Sequence, residues 1–445
     1  MSRMLRMATT VALAVLGASA VLAQELPSCS LTKKCPESAP CCSQYGQCGV
    51  GAYCLGGCDP RMSFTLDSCV AAPVCQSRSM SMNNLERIVD RAKYLGDASK
   101  ADWVSQGRPL AHNGNVLLTM PARSAGTVLA STVYMWYGNV KARIKTSRGA
   151  GVVTAFILFS DVKDEIDFEW IGNSLANTQT NYYFQGITDY TNGGNISQAG
   201  VTNTNTEWHT YEIRWTPDKI EWYVDGRLGR TQLKSETWDA AHNQWAYPQT
   251  PSRVQLSLWP GGDEKNPEGT RDWAGGLIDW SSEDILRNGY YYATVGEITM
   301  ECYQTDTAPG TNLRKGYVYK DAKATNDTIE DSDTNTILKS LLGTGLDMEK
   351  DYPSSGAAQT TQAVIPGLSG GGPGTNGQAA ESSSGDSNSP TVVGGSPNAA
   401  CTASFEQVCG AGEDNTSQNQ GVRQERALGA STFAALVAVA GVLWL

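Results

Sequence analysis

The stretch "VVTAFILFSDVKDEIDFEWIG" (residues 152–172) decides how this chain is read. Its opening is largely apolar and rich in β-branched and aromatic side chains, as expected of a strand. Seven of the following positions, "DEIDFEW", carry four acids: Asp164, Glu165, Asp167 and Glu169. Asp and Glu are poor strand formers, and like charges on one face repel. Alternation gives the segment a sense, because successive side chains of a strand point to opposite faces. Ile166, Phe168 and Trp170 then share one face and suit a core, while Glu165, Asp167 and Glu169 share the other.

The surrounding region repeats this pattern. In "GNVKARIKT", Val140, Ala142 and Ile144 face one way, and Lys141, Arg143 and Lys145 the other. "WHTYEIRW" places His209, Tyr211, Ile213 and Trp215 on one face; "TPDK" is a turn, and "IEWYVDGR" is a strand ending in an Asp-Gly turn signal. "SRVQLSLWPGG" separates Val254, Leu256 and Leu258 from Gln255, Ser257 and Trp259. Many short strands without a long helix predict an all-β sandwich or barrel.

Three acids in succession on one strand face admit a catalytic set, a calcium site or a solvated acidic edge. Glycoside hydrolysis gives the first a rationale. It needs two carboxyl groups flanking the bond, about 5–5.5 Å apart when configuration is retained. Positions i and i+4 of a strand lie roughly 13 Å apart at Cα. Long Glu side chains leaning together on a curved face close that gap, and the Asp between them orients one Glu. Crowding pushes one carboxyl pKa up, which supplies an acid near neutral pH.

The chain has 445 residues and a net charge of −11, which lacks the basic footprint of a nucleic-acid binder. Arg3 and Arg6 precede the apolar run "MATTVALAVLGASAVLA", so residues 1–23 read as a secretory signal peptide cleaved after Ala23. At the other end, small residues, the spacer "QNQGVRQER" and the apolar "ALGASTFAALVAVAGVLWL" read as a GPI-attachment signal over 415–445. Asn415 is the preferred attachment site, with Gly412 and Gly421 as alternatives. The membrane is thus expected as a partner through lipid alone. Residues 353–414 are rich in Ser, Gly, Pro and Thr and read as a flexible stalk. Residues 306–352 form a polar extension with weak helical character near "TNTILKSLLGTGLDMEKDY". Sequons stand at Asn195, Asn326 and Asn415.

Nine of the 12 cysteines fall between Cys29 and Cys75, followed by Cys302, Cys401 and Cys409. Such usage fits an oxidising compartment. Nine is odd, so full pairing sends one of them to Cys302, while Cys401 and Cys409 are close enough to pair. Zinc is the competing reading, disfavoured in a secreted chain whose three His residues (112, 209 and 242) lie elsewhere.

"DEIDFEW" is similar to the E-x-D-x-E signature of glycoside hydrolase family 16. That resemblance covers about residues 80–305, within a domain taken as 76–305, and implies a jelly-roll β-sandwich with a cleft on its concave face. It makes Glu165 the nucleophile, Asp167 the assisting acid and Glu169 the general acid/base. "DEIDFEWIGN" with "WPGGD…GT…WAGG" further resembles the fungal Crh transglycosylases, wall enzymes that join chitin to β-glucan. The resemblance implies a retaining transglycosylase with chitin and β-glucan as partners, and no cofactor, metal or protein partner. It places Trp259 on the acceptor side of the cleft, with Gln255 nearby, although a basic residue is expected there. Thr270 and Trp273 follow, and Glu169 also contacts substrate. Arg143 is a candidate for sugar hydroxyls or an exposed ion pair. A β-glucanase of the same fold and a non-catalytic wall lectin are the alternatives.

"CCSQYGQCGVGAYCLGGC" (41–58) resembles hevein-like chitin-binding modules and sets a Cys-rich domain at 24–75. A domain this small depends on disulfides. The resemblance implies the pairs Cys29–Cys42, Cys35–Cys48 and Cys41–Cys54, then Cys58 with Cys69, leaving Cys75 for Cys302. It assigns Ser43, Tyr45 and Tyr53 to N-acetylglucosamine, with Gln47 where an aromatic is expected.

Overall fold

The computed structural model describes residues 27–353 except 188, 198 and 199. The expected signal peptide, nearly all of the stalk, Asn415 with the GPI signal, and Cys401 and Cys409 lie outside the described residues.

One eight-stranded sheet carries the acids. Its strands are β1 Ile88–Asp90, β2 Trp103–Gln106, β3 Thr127–Met135 and β4 Val152–Ser160. They continue with β5 Glu165–Ile171, β6 Thr178–Tyr183, β7 Gly194–Ile196 and β8 Ser252–Pro260. The order is β7-β6-β5-β4-β8-β3-β2-β1, antiparallel except for the β1–β2 pair. A second eight-stranded sheet covers its core face, with Gly138–Lys145 and Tyr290–Cys302 at its centre. The result is a jelly-roll β-sandwich. The Asp225–Gly226 turn shows why the pattern was legible: φ is 49° at Asp225 and 74° at Gly226, the left-handed geometry of a tight hairpin.

The apolar parity of β5 builds the core. Phe168 stacks on Phe156 at 6.1 Å and on Trp170 at 5.8 Å, and Trp170 meets Tyr211 from the second sheet at 4.4 Å. Trp222, also from the second sheet, donates its indole N–H to the Asp167 carbonyl at 3.0 Å. The backbone of the acidic strand is thus pinned from behind. The only α-helices among the described residues are short, α1 Glu268–Trp273 and α2 Glu283–Asn288.

The chain before the sandwich and the chain after it interlock. Ala72–Pro73 pairs with Gly316–Tyr319, which pairs with Ile329–Ser332. Residues 334–352 form turns and bridges, so the weak helical reading there is wrong. Tertiary contacts override it: Leu338 is buried among Tyr53, Leu55 and Val70, and its N–H bonds the Leu95 carbonyl. The Gly51 N–H bonds the Gly343 carbonyl, and Gly345 approaches the Cys69 carbonyl closely. This strap clamps the N-terminal module onto the sandwich. Among the described residues five disulfides complete the arrangement: Cys29–Cys42, Cys35–Cys48, Cys41–Cys54, Cys58–Cys69 and Cys75–Cys302. The last spans 227 residues and ties the module's end to the final sandwich strand. The Cys29, Cys35 and Cys42 sulfurs cluster, but all are consumed in disulfides and offer no thiolate to a metal.

Gly51 is one of the clamp's tight points. Its φ is +61°, and a Cβ there overlaps the Leu341 carbonyl. Gly51→Ala is expected to lower stability by about 2 kcal/mol or more, measured by urea unfolding, and to expose the strap to limited proteolysis.

Candidate active site

Cross-strand register lays out the sheet face opposite the core. Glu165 is level with Tyr183 on β6, Phe159 on β4 and Arg253 on β8. Asp167 is level with Asn181, Ile157 and Gln255, and Glu169 with Gln179, Ala155 and Ser257. Glu165 keeps part of its surface open, whereas Asp167 is 2% and Glu169 8% exposed. Three carboxyl groups therefore share one largely dry strand face.

Their electrostatics are unequal. Burial pushes Glu165 up to about 7, held back by a hydrogen bond with Asp167 and by the Lys163 charge. Asp167 is raised well above the usual carboxylate range by burial, then by the charges of Glu165 and Glu169. Glu169 is raised by burial and the Glu165 charge. The Trp259 indole N–H lies near enough to Glu169 to hold it back slightly, without reaching hydrogen-bond geometry. Glu165 is therefore the easiest of the three to ionise, because the Asp167 hydrogen bond and then the Lys163 charge offset its burial, while Asp167 and Glu169 hold their protons. One anion beside one acid is the division that nucleophile and proton donor need.

Asp164 has a different task. Its side chain is buried and accepts from the backbone N–H groups of Gln185, Gln249 and Thr250 at 2.8–3.0 Å, and from the Thr250 hydroxyl at 2.8 Å. It staples the start of β5 to two neighbouring segments. Parity carried the signal: Asp164 alternates with Ile166 and Phe168, and an acid on the core side needs donors. Lys163 lacked any such signal, because the action of its charge on Glu165 depends on a turn where its φ is 68°.

Several expected sugar contacts are rearranged. Trp259 is 1% exposed, buried beneath Trp273 with rings 6.0 Å apart and 21° from parallel, so it is not an open platform. The half-buried Trp273 holds the outer position, fixed by its indole N–H donating to Gln179 at 2.8 Å. Gln255 lies on the cleft face with its amide nitrogen unpartnered, as is one Asp167 oxygen. Thr270 is buried inside α1, whose backbone bonds it joins. The Arg143 guanidinium sits over Trp208 at 4.2 Å, on the second sheet and not on the sheet that carries the acids. In the module, Ser43 is 2% and Tyr53 1% exposed. Tyr53 fits over Gly49 under the strap with Arg91 against its ring, so neither residue presents an open sugar surface. Tyr45 alone of that trio stays partly open.

The sequence pattern of the glycosyl hydrolases family 16 matches residues 97–275. "Crh-like protein 3" of Botryotinia fuckeliana is 60% identical over 321 residues, 72% of this chain and 72% of that protein. "Crh-like protein 2" of Aspergillus fumigatus is 53% identical over 354 residues, 79% of this chain and 80% of that protein. A solved structure, "Crh5 transglycosylase in complex with NAG", is 26% identical, covers 62% of this chain and all (100%) of its own, and superposes with a TM-score of 0.49. The chain belongs to glycosyl hydrolase family 16, and within it to the Crh-like proteins. It is a glycosidase-class enzyme whose carboxylate strand lies inside the matched region.

The pKa of Glu165 predicts a pH dependence of stability. An ordinary Glu ionises near 4.5 and Glu165 in the fold near 7, so the folded chain holds a proton that the unfolded chain releases. Its contribution is present below about 4.5 and lost as pH rises to about 7. Between about pH 5 and pH 7.5, wild type is expected to lose about 1–3 kcal/mol more than Glu165→Gln in urea titrations. Equal losses would contradict the assignment.

Proposed function

We propose that this chain is a retaining transglycosylase that cleaves a chitin donor and transfers it to β-glucan in the fungal wall. The observation that carries the proposal is the row of three carboxyl groups on one face of β5, with Glu165 and Glu169 flanking Asp167. Membership of the Crh-like proteins supports the choice of substrates. The Glu165 carboxylate attacks the anomeric carbon as Glu169 protonates the departing glycosidic oxygen, leaving a glycosyl ester on Glu165. Glu169, now a carboxylate, takes the proton of an incoming hydroxyl, whose oxygen displaces Glu165. A glucan hydroxyl gives a cross-link and water gives hydrolysis. Asp167 bonds to Glu165 and governs its charge.

Substrate positioning falls to the remaining groups of the face. The unpartnered Gln255 amide supplies a donor for a sugar oxygen, since buried polar groups seek partners. Trp273 offers the outer ring for stacking, and Trp259 backs it. Export by the 1–23 segment and anchoring at Asn415 belong to the same reading, as does N-glycosylation at the exposed Asn195. At Asn326 the amide already donates to Tyr137 at 3.4 Å, which makes it the poorer acceptor site.

Transfer from chito-oligosaccharides to a labelled glucan oligomer tests the proposal. Glu165→Gln and Glu169→Gln are each expected to lower the rate at least about a hundredfold while the fold is kept. Full activity in both variants would sink the mechanism. Efficient transfer from laminarin but not from chitin oligomers would replace the donor.

A further inference from the structure

The N-terminal module is not a tethered appendage. Gln44 accepts from the Arg253 guanidinium at 3.0 Å, and Arg253 shares the row of Glu165 on the cleft face. The Gly57 N–H donates to Asp161 at 2.8 Å, beside the β4–β5 turn. Arg61, paired with Asp59 at 2.7 Å, reaches the Val162 carbonyl and Gln185 at 2.8 and 2.9 Å. The module is thus held along one end of the strands that form the cleft. Leu55 and Gly56 roof Val104 and Ala130, which belong to the Asp167 row.

Tyr45 lies beside this covered stretch, next to Gln106 of its lining. Its hydroxyl donates to Gln106 at 3.4 Å. Register places Gln106 in the row of Glu169, through Ala155, Ser257 and Val128. Four interstrand steps of about 4.8 Å put it roughly 19 Å from the carboxylates. Tyr45 is partly exposed, while Ser43 and Tyr53 beside it in the motif are buried. A polysaccharide crossing the strands from β5 toward β2 meets Tyr45 after a few sugar units.

We propose that Tyr45 is a distal sugar-stacking residue of the catalytic cleft itself. The module extends the enzyme's own binding track for a β-linked polysaccharide and does not act as an independent binding domain. This inference rests on the transglycosylase reading above. It implies that long chains gain affinity from the module and that chains too short to span about 19 Å do not.

The test uses the whole chain, with the acceptor fixed and donor length varied, then with the donor fixed and acceptor length varied. The readout is the ratio of kcat/KM for long over short oligosaccharides, which is insensitive to the fraction of folded enzyme. Tyr45→Ala is expected to reduce that ratio about five- to tenfold in one of the two series. Tyr45→Phe, which keeps the ring and loses the hydroxyl contact, is expected to retain the wild-type ratio. Unchanged ratios in both series for an active Tyr45→Ala enzyme overturn the inference while leaving the transglycosylase reading intact. Loss of the ratio in Tyr45→Phe as well overturns stacking as its basis. A wild-type chain that transfers neither donor class overturns both.

Discussion

Crowding Glu165, Asp167 and Glu169 on one strand face is unfavourable, and the rest of the structure holds that face in place against it. Burial raises all three pKa values, and neighbouring carboxylate charge raises Asp167 and Glu169 further, so the strand would relax if its backbone were free to slide or flip. It is not free. Phe168 and Trp170 are locked in an aromatic stack behind it, Trp222 holds the Asp167 carbonyl, and Asp164 fastens its first turn to Gln185, Gln249 and Thr250. A one-residue slip would drive the acids into that aromatic core, so register and chemistry are enforced together.

The same constraint explains the asymmetry within the carboxylate set. The acids look nearly equivalent along β5, and the Asp167 hydrogen bond to Glu165, together with the turn before the strand, breaks the tie. Lys163 is held in a left-handed conformation near Glu165, and the Trp259–Trp273 pair lies by Glu169 at the other end. The module's Asp59 also acts on Lys163, favouring its charged form. The N-terminal module thus contributes to the electrostatics of the carboxylate set from outside the sheet.

Local pattern made the strands and the core legible. Val254, Leu256 and Leu258 are all fully buried at the core, as alternation requires, and the β5 parity places its acids opposite. What alternation could not reveal was which cleft-face residues stay open. Trp259 looked like a platform because it alternates with Gln255, yet a residue 14 positions later, Trp273, lies over it. Tyr53 matched a binding motif, but its exposure depends on where the module docks, and docking depends on a strap near residue 340. The helical reading of that strap failed for the same reason, because its apolar residues are spaced to plug the module and not to line a helix face.

The most direct test of the central claim is to trap the intermediate on β5. Glu169→Gln enzyme would be supplied with a chito-oligosaccharide bearing a leaving group that needs no acid. Without its base, the second step stalls. Peptide mass spectrometry is then predicted to find the donor esterified to Glu165. An adduct on any other residue, or turnover to a product of inverted anomeric configuration, would contradict the account.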